Sequence, residues 1–275
     1  MESFKDLLDT ELAHLPPEQQ MTAARQVAKT LLANDLEGFS REAWRSIGEQ
    51  SPFIPAKYWT ALCEHLAAVS LGKIRRLIIN VPPRFGKSTL VSVLWPCWEW
   101  ARDAAASRWI FCSHACDLAL RDSVRRRNLL QSPWYQTFWH ESVQLSADQN
   151  QKQEYASTHG GVMFSTWVGG ATGRGASRIV IDDPHALSDA YSPVELDNAV
   201  KYVRQTLFSR LDEPSKGAIV LIMQRLHEND LTGELLNPSC DADTERLEIK
   251  ERKSDPAPPD YSMFSTANLR ARGIQ

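Results

Sequence analysis

Residues 77–89 read Leu-Ile-Ile-Asn-Val-Pro-Pro-Arg-Phe-Gly-Lys-Ser-Thr, an apolar run that leads into a short loop and a lysine–hydroxyl pair. The apolar residues predict a buried β-strand, and the helix that begins after Gly86 points its positive dipole end toward the loop. In such a loop Gly86 lets the backbone approach a phosphate, Lys87 reaches the β- and γ-phosphate oxygens, and Ser88 holds Mg²⁺. The stretch therefore predicts nucleoside triphosphate binding, with ATP and Mg²⁺ as ligands.

The loop departs from the usual phosphate-binding pattern at its start. Val81 stands where that pattern has its first glycine, and the two prolines that follow, at 82 and 83, have no backbone N–H to offer a phosphate. The amides of residues 85–89 are therefore expected to form the cradle. An ordinary strand, loop and helix with a surface lysine is the alternative. The residues expected to bind nucleotide here are Arg84, Phe85, Gly86, Lys87, Ser88 and Thr89.

A second apolar run ends in two adjacent carboxylates. Residues 178–184 read Arg-Ile-Val-Ile-Asp-Asp-Pro. In a phosphate-loop enzyme the first acid after such a strand, Asp182, belongs to the Mg²⁺ site together with Ser88. The second acid, Asp183, is then placed to polarise the attacking water as a general base. The alternative is a strand that ends in a capped turn, since Asp-Asp-Pro is also favourable turn chemistry.

A third apolar run, residues 219–223, is followed by the polar residues Gln224 and Arg225. In an open parallel sheet, ligands bind outside the carboxyl ends of the strands. Gln224 or Arg225 is therefore expected to sense the γ-phosphate. His227, a few residues further on, is interpreted as structural.

Phosphoryl transfer also needs added positive charge at its transition state. Arg84 lies inside the loop, and Arg174 has flexible glycine neighbours, so both are predicted to be catalytic. For Arg174 the alternative is a turn residue that binds backbone carbonyls. A dense basic run at 121–127 is either a solvated helix face, a contact for the DNA backbone, or a source of an arginine for a neighbouring subunit's nucleotide.

The overall composition fits an intracellular α/β protein. The chain has 275 residues, 43% hydrophobic content, a formal net charge of −3 and an odd number of cysteines, five, with no secretory leader. Cys112 and Cys116 flank His114, but this spacing suits no common zinc site. No apolar stretch approaches the ~20 residues that span a bilayer. A cytoplasmic location without membrane contact is expected.

Strands that alternate with helices predict a doubly wound, mainly parallel α/β sheet of the additional-strand, RecA-like type. Residues 1–50 are expected to form a small helical subdomain, with one helix over residues 4–12 and another over roughly 18–36. Residues 51–240 form the predicted core, with extended pieces at 143–168 and a hairpin turn at 160–161. Residues 241–275 are polar and rich in proline, and are expected to be a poorly ordered tail.

Together these stretches resemble the ATPase domain of the terminase large subunit, the motor that packages DNA into tailed-phage heads. The resemblance covers about residues 50–240. It rests on Ile-Asn-Val-Pro-Pro-Arg-Phe-Gly-Lys-Ser (79–88), Gly-Gly-Ala-Thr-Gly-Arg-Gly-Ala (169–176) before the acidic strand, and Arg-Leu-His-Glu-Asn-Asp-Leu-Thr-Gly (225–233). The Arg-Asp-Ser at 121–123 and the Ser-Pro-Trp-Tyr at 132–135 also fit.

The resemblance implies an Mg²⁺-dependent ATPase that drives double-stranded DNA into procapsids. It also implies a homo-oligomeric ring at a portal, a small terminase subunit as partner, and the cytoplasm of an infected host. Gln224 departs from the family's usual threonine or serine, and Asn229 from a common aspartate. Residues 225–233 resemble the family's coupling motif, and only about 40 residues follow them. This is too few for the family's nuclease domain, so nuclease activity is not expected.

Two other functions agree with the same residues. One is a helicase-like or recombinase-like ATPase that DNA stimulates. The other is a truncated prophage remnant that binds nucleotide without hydrolysing it.

Overall fold

The computed structural model of the chain describes residues 16–49, 51–171 and 173–236 and two further strands at 244–250 and 262–265. The α-helices are α1 (Pro17–Asn34), α2 (Leu36–Ala43), α3 (Lys57–Ser70), α4 (Trp95–Asp103), α5 (Cys116–Gln131), α6 (Pro133–Trp139), α7 (Pro193–Tyr202) and α8 (Leu231–Leu235). The strands are β1 (Arg76–Asn80), β2 (Arg108–Ser113), β3 (Leu145–Asn150), β4 (Glu154–Ser157), β5 (Val162–Trp167), β6 (Arg178–Asp182), β7 (Ala218–Met223), β8 (Thr244–Lys250) and β9 (Ser262–Ser265).

Shorter helical turns complete the described chain. Two π-helical segments, Thr89–Leu94 and Val203–Leu207, lie next to α4 and α7. Turns of 3₁₀ helix cover Trp44–Ile47, Leu187–Tyr191 and Phe208–Arg210.

The described strands form one sheet in the order β3-β4-β5-β2-β6-β7-β1-β8-β9. From β5 to β8 every neighbouring pair is parallel, whereas the pairs β3–β4, β4–β5 and β8–β9 are antiparallel. Strand β7 lies between β1 and β6. This order agrees with the prediction of a mostly parallel α/β sheet and is compatible with a RecA-like fold.

The central strands are buried on both faces, which explains their nearly continuous apolar sequences. In β1, Leu77 and Ile79 belong to one hydrophobic cluster and Ile78 to another. The first cluster also contains side chains from α2 to α6, and the second contains side chains from α7 and α8. Helices therefore cover both faces of the sheet, as the prediction of a doubly wound arrangement requires.

The helices before the core pack directly on it. The Trp98 indole N–H donates to the Leu32 carbonyl at 2.9 Å, and the Phe39 ring lies 5.7 Å from that of Trp139. The predicted helix at 18–36 is divided in the structure, because the Asp35 side chain accepts a hydrogen bond from the Glu37 amide and caps α2. The predicted helix at 4–12 lies outside the described residues.

Two other local predictions have different outcomes. Strands β4 and β5 pair as a hairpin whose turn contains Gly160, with φ of 87°, as predicted. Within residues 241–275, which were expected to be a poorly ordered tail, the structure describes two strands: β8 pairs in parallel with β1, and β9 pairs with β8. In the sequence of β8, the apolar residues Leu247 and Ile249 alternate with charged residues. Its backbone pairs with the otherwise open edge of β1. The rest of that tail lies outside the described residues.

Candidate functional site

The three motif-bearing strands end together. Asn80 at the end of β1 is paired with Met223 at the end of β7, and Asp182 at the end of β6 is paired with Ile222. Because these strands are parallel, the segments that follow them leave the sheet along one edge. The sheet thus brings together residues that are about 100 positions apart in sequence.

The loop after β1 makes a tight turn before the next helical segment. Arg84 and Gly86 both have positive φ, of 68° and 69°. A Cβ atom on Gly86 would lie 2.9 Å from the Trp59 ring, so this position favours glycine for both its conformation and its space. Helical backbone begins at Lys87, whose side chain is buried.

The helical segment at 87–94, called the loop helix below, has side chains that contact both aspartates. The Lys87 ammonium donates to Asp183 Oδ1 at 2.6 Å. The Ser88 hydroxyl donates to Asp182 Oδ1 at 3.0 Å, and the Ser92 hydroxyl donates to Asp182 Oδ2 at 2.8 Å. The predicted lysine, serine and two carboxylates therefore form one connected cluster.

Asp183 has a strained backbone that its neighbours hold in place. Its φ is 45°, which is rare for a residue with a side chain. Its carbonyl accepts from the His114 amide at 3.1 Å and from His114 Nδ1 at 2.8 Å, so this ring nitrogen carries a proton. Its amide donates to the Ile222 carbonyl at 2.9 Å, and its Oδ1 accepts from the Gln224 amide at 3.2 Å. Contacts from Ile222 and His114 thus hold the Asp183 backbone, while the Gln224 amide and the Lys87 ammonium contact its carboxylate.

The surroundings of Asp182 favour its protonated form. Burial, followed by the nearby negative charges of Asp183 and Asp122, raises the pKa of Asp182 to about 7. The hydrogen bond from Ser92 and the positive charge of Lys87 oppose this rise. A cation bound beside Asp182 would favour its ionised form and displace the proton.

Two cavities border this cluster and share Ser88, Arg121 and Asp183. The loop cavity has a volume of about 310 Å³ and is lined by Pro83, Arg84, Gly86, Lys87, Ser88, Thr89, Arg121, Asp183 and Gln224. The carboxylate cavity has a volume of about 200 Å³ and is lined by Ser88, Ser92, Phe111, Cys112, Ser113, Leu118, Ala119, Arg121, Asp122, Arg126, Asp182 and Asp183. Cationic and hydroxyl side chains from the loop and the two carboxylates thus line adjacent cavities.

Several predicted site residues have other contacts. Arg174 donates to Glu154 at 2.9 Å, lies 4.0 Å over the Phe164 ring and lines neither cavity. Its predicted catalytic role has no support from this geometry, because the Glu154 carboxylate and the Phe164 ring engage the guanidinium. Arg225 likewise donates to Asp230 at 2.9 Å and lines neither cavity.

Of the other predicted residues, some line the loop cavity and one packs against a neighbouring ring. Gln224 and Thr89 line the loop cavity, and the Thr89 hydroxyl accepts from Arg125 at 3.2 Å. The Phe85 ring packs edge-on against that of Tyr58 at 5.3 Å. Arg84 is exposed at the mouth of the loop cavity and has no hydrogen-bond partner among the described residues.

The segment after β7 is hydrogen-bonded to β1, the strand that leads into the loop. The buried Asn80 amide donates to the Thr232 hydroxyl at 3.0 Å. Asp230, fully buried, accepts from the backbone amides of Leu226 and Gly233, both at 3.0 Å. Although burial raises the pKa of Asp230, these hydrogen bonds and the Arg225 charge lower it below its usual value. The segment is therefore a folded turn with an ionised aspartate at its centre.

Sequence reasoning missed several residues of this site. Ser92 and His114 have no motif of their own. Arg121 and Asp122 belong to the Arg-Asp-Ser at 121–123 that fits the resemblance, but that motif gave neither residue a role at the site. A signal was present for His114, which directly follows β2, the strand next to β6. For Ser92 the signal was its spacing, one helical turn after Ser88.

The chemistry of the cluster fits Mg²⁺. A hydroxyl and a carboxylate in contact supply hard oxygen ligands, which Mg²⁺ prefers. Among the described residues, no cluster of three or more His, Cys, Asp or Glu side chains could hold a metal ion. Mg²⁺ is usually held by one or two protein oxygens, while water and phosphate oxygens supply the remaining ligands, so Ser88 and Asp182 would be the protein's share.

A wider groove of about 710 Å³ lies elsewhere, between α7 and the turn after β7. Its charged residues pair with one another, as in the contact of 2.5 Å between Lys201 and Asp197. The groove contains none of the cluster residues and has no comparable set of convergent charges.

The fold and the site together define an α/β protein with a mostly parallel sheet and a cluster of lysine, serine and two aspartates at its carboxyl edge. In comparisons with protein-family models and with curated proteins, no match to this sequence was found. Among the described residues, no helix is long and apolar enough to cross a bilayer.

Proposed function

We propose that this chain is the ATP-hydrolysing motor domain of a terminase large subunit, which drives double-stranded DNA into procapsids. One observation carries the proposal: Lys87 and Ser88, from the loop after β1, contact Asp183 and Asp182 at the end of β6. Phosphate-loop hydrolases need this combination of lysine, hydroxyl and acidic strand end around one cavity.

Lys87 and Asp183 have separate roles in the proposed reaction. Lys87 leaves Asp183 for the β- and γ-phosphate oxygens when ATP enters the loop cavity, and this frees the Asp183 carboxylate. Attack by water forms a new bond to the γ-phosphorus, while the bond to the bridging oxygen breaks and its electron pair leaves on ADP. Asp183 accepts the proton of the attacking water. Its fixed backbone keeps the base in position throughout.

Ser88 and Asp182 would hold Mg²⁺, which neutralises charge on the phosphates when it is bound. Ser92 keeps the Asp182 carboxylate oriented through its hydrogen bond of 2.8 Å. Gln224 lines the loop cavity and follows β7, so a change near the γ-phosphate can reach the turn at 225–233 through the backbone. The hydrogen bond from Asn80 to Thr232 connects that turn to β1.

The assignment to DNA packaging rests on the terminase-like motifs. The loop Ile-Asn-Val-Pro-Pro-Arg-Phe-Gly-Lys-Ser and the turn at 225–233 are placed at one edge of a sheet that is compatible with a RecA-like fold. The proposed partners are double-stranded DNA, further copies of the chain in a ring at a portal, and a small terminase subunit, in the cytoplasm of an infected host.

A helicase-like or recombinase-like ATPase is the second candidate, because the strand order in which β7 separates β1 from β6 suits such motors equally well. The two candidates differ in the nucleic acid that they engage. A packaging motor acts on duplex DNA, whereas a helicase or recombinase engages single strands.

Steady-state ATP hydrolysis by the purified chain tests both candidates. We expect turnover that requires Mg²⁺, disappears in Lys87→Ala and rises with linear duplex DNA more than with single-stranded DNA. Stimulation by single strands alone would favour the second candidate. Nucleotide binding without turnover would instead indicate an inactive remnant, and full activity of Lys87→Ala would reject the assigned site.

A further inference from the structure

Arg121 borders both cavities of the candidate site. It lies in the second turn of α5, which begins at Cys116 just beyond the end of β2. Ser113 at the end of β2 is paired with Asp182, so the start of α5 lies beside the acidic strand. Arg121 lines the loop cavity together with Lys87 and the carboxylate cavity together with Asp182.

The guanidinium of Arg121 is held by its neighbour. Its Nε donates to Asp122 Oδ1 at 3.1 Å and its Nη2 donates to Asp122 Oδ2 at 3.0 Å. Such a two-point contact fixes the plane of the guanidinium and limits its rotamers. The Arg121 side chain is nonetheless 55% exposed, while Asp122 is buried. Among the described residues Nη1 has no partner, so both of its N–H groups remain for a ligand.

The other arginines of α5 are engaged elsewhere. Arg125 bonds to Glu49 and Thr89, and Arg126 is fully buried among Ser92, Tyr155 and Ser165.

Arg127, on the same helix, donates to the Asn150 carbonyl at 3.2 Å and lines neither cavity. Arg121 is therefore the residue of this basic run that combines a cavity-facing position with donors to spare.

We propose that Arg121 is a catalytic residue that binds the γ-phosphate of the nucleotide in its own subunit. This inference rests on the proposed function. As the bond to the γ-phosphorus forms and the electron pair of the bridging bond passes to ADP, the Nη1 donors neutralise charge on the γ-phosphate oxygens. The bond to Asp122 keeps the guanidinium oriented, so little reorganisation is needed during the reaction.

The test compares Arg121→Ala and Arg121→Lys with the wild type, with Arg127→Ala as the matched control on the same helix. We expect the turnover of Arg121→Ala to fall about 10³-fold while ADP affinity changes little, since the contact is to the γ-phosphate. Arg121→Lys should recover little, because an ammonium cannot keep the fork on Asp122 and reach the phosphate together. Arg127→Ala should behave as wild type.

Trapping of ADP with aluminium fluoride separates catalysis from folding. The wild type and Arg127→Ala should form the trapped complex, and Arg121→Ala should bind ADP without trapping. Wild-type turnover and trapping in Arg121→Ala would overturn the role of Arg121 and leave the proposed ATPase intact. Failure of the wild type to trap would overturn action within one subunit. A wild type that binds no nucleotide would reject the proposed function together with this inference.

Discussion

Asp182 and Asp183 are adjacent in sequence but have different surroundings. Asp182 ends β6 with its side chain buried and accepts hydrogen bonds from two serine hydroxyls. Asp183 has left the strand with a φ of 45° and binds the Lys87 ammonium. One carboxyl therefore lies among hydroxyl donors and the other is paired with an ammonium, so two neighbouring acids have different electrostatic surroundings.

The raised pKa of Asp182 predicts a pH-dependent stability in metal-free buffer. The folded carboxyl, with a pKa of about 7, keeps a proton that an unfolded aspartate releases near pH 3.9. The free energy of unfolding should therefore fall as pH rises from about 4 to about 7, by up to about 4 kcal/mol from this group. Urea unfolding across this range measures the slope.

Asp182→Asn is the control variant for this pH dependence of the free energy of unfolding. Its amide does not titrate, so its stability should vary less with pH than that of the wild type. Added Mg²⁺ should flatten the wild-type slope as well, because a cation favours the ionised carboxylate. Equal slopes in the wild type and Asp182→Asn would contradict the explanation.

Replacement of Asp183 by asparagine tests the proposed base. The amide oxygen of Asp183→Asn can still accept from the Gln224 backbone N–H, and the fold around it should be kept. We expect nucleotide to bind but turnover to fall by about 10²- to 10⁴-fold, since the proton acceptor is lost. Asp148→Asn, an exposed change in β3, is the control. Undiminished turnover would assign the base to another residue.

At the scale of elements, the loop after β1 and the helical segment that follows act as one unit. Residues Thr89–Leu94 form a π-helical segment directly after Lys87 and Ser88. Such segments are rare and often occur at functional sites. Here Ser92, within this segment, uses its hydroxyl to hold Asp182 and its carbonyl to accept from Arg126. The loop helix is thereby connected to both β6 and α5.

Gly86→Ala should disturb this unit for two reasons that can be separated. The position has a φ of 69°, and an added Cβ would lie 2.9 Å from the Trp59 ring. Gly160→Ala is the matched control, since its φ is 87° but nothing lies within 4 Å of its added Cβ. Both variants should lose about 1 kcal/mol of stability from backbone strain.

Gly86→Ala should lose more than Gly160→Ala and should also bind nucleotide more weakly, because the loop must shift to avoid Trp59. Thermal unfolding and nucleotide titration measure the two effects. Equal stability losses in the two variants would show that the tryptophan contact has no energetic role.

At the scale of the whole molecule, a buried arginine joins elements from distant parts of the chain. The Arg126 guanidinium lies 3.6 Å over the Phe111 ring of β2 and donates to Tyr155 at 2.7 Å and to Ser165 at 2.9 Å. It also donates to the Ser92 carbonyl. It thus connects α5, the loop helix and three strands in the interior of the protein.

Arg126→Met should therefore destabilise the whole fold. The change leaves the Ser92 carbonyl and the Tyr155 and Ser165 hydroxyls without this donor, and we expect a loss of about 3 kcal/mol. Arg127→Met removes one hydrogen bond on the same helix and should cost much less. Equilibrium unfolding in urea compares the two variants. Equal losses in the free energy of unfolding would show that Arg126 does not have the proposed structural role.

Local sequence was enough to predict the three central strands and their polar ends. Residues 77–79, 179–181 and 219–223 are apolar because both faces of those strands are buried, so their composition alone identifies them. The hairpin at 160–161 was similarly predictable from its glycines. Strand β8 was not, because its alternating charges resemble those of a solvated segment until an edge strand is available for pairing.

Short spacings within single segments were enough to identify the loop chemistry of Lys87 and Ser88 and the adjacent acids at 182 and 183. Arg84 also lines the loop cavity, as its position inside the loop predicts, whereas folding alone shows that Arg121 borders both cavities and Arg174 borders neither. Arg174 and Arg121 both lie near charged or glycine-rich motifs, but Glu154 binds the first while Asp122 holds the second beside the site. The physical reason is that a long, flexible guanidinium can act at a site only where folding brings the two together. The partner of Arg174 comes from a strand 20 residues away, and the neighbouring Asp122 holds Arg121 beside the acids only because β2, which leads into its helix, pairs with β6.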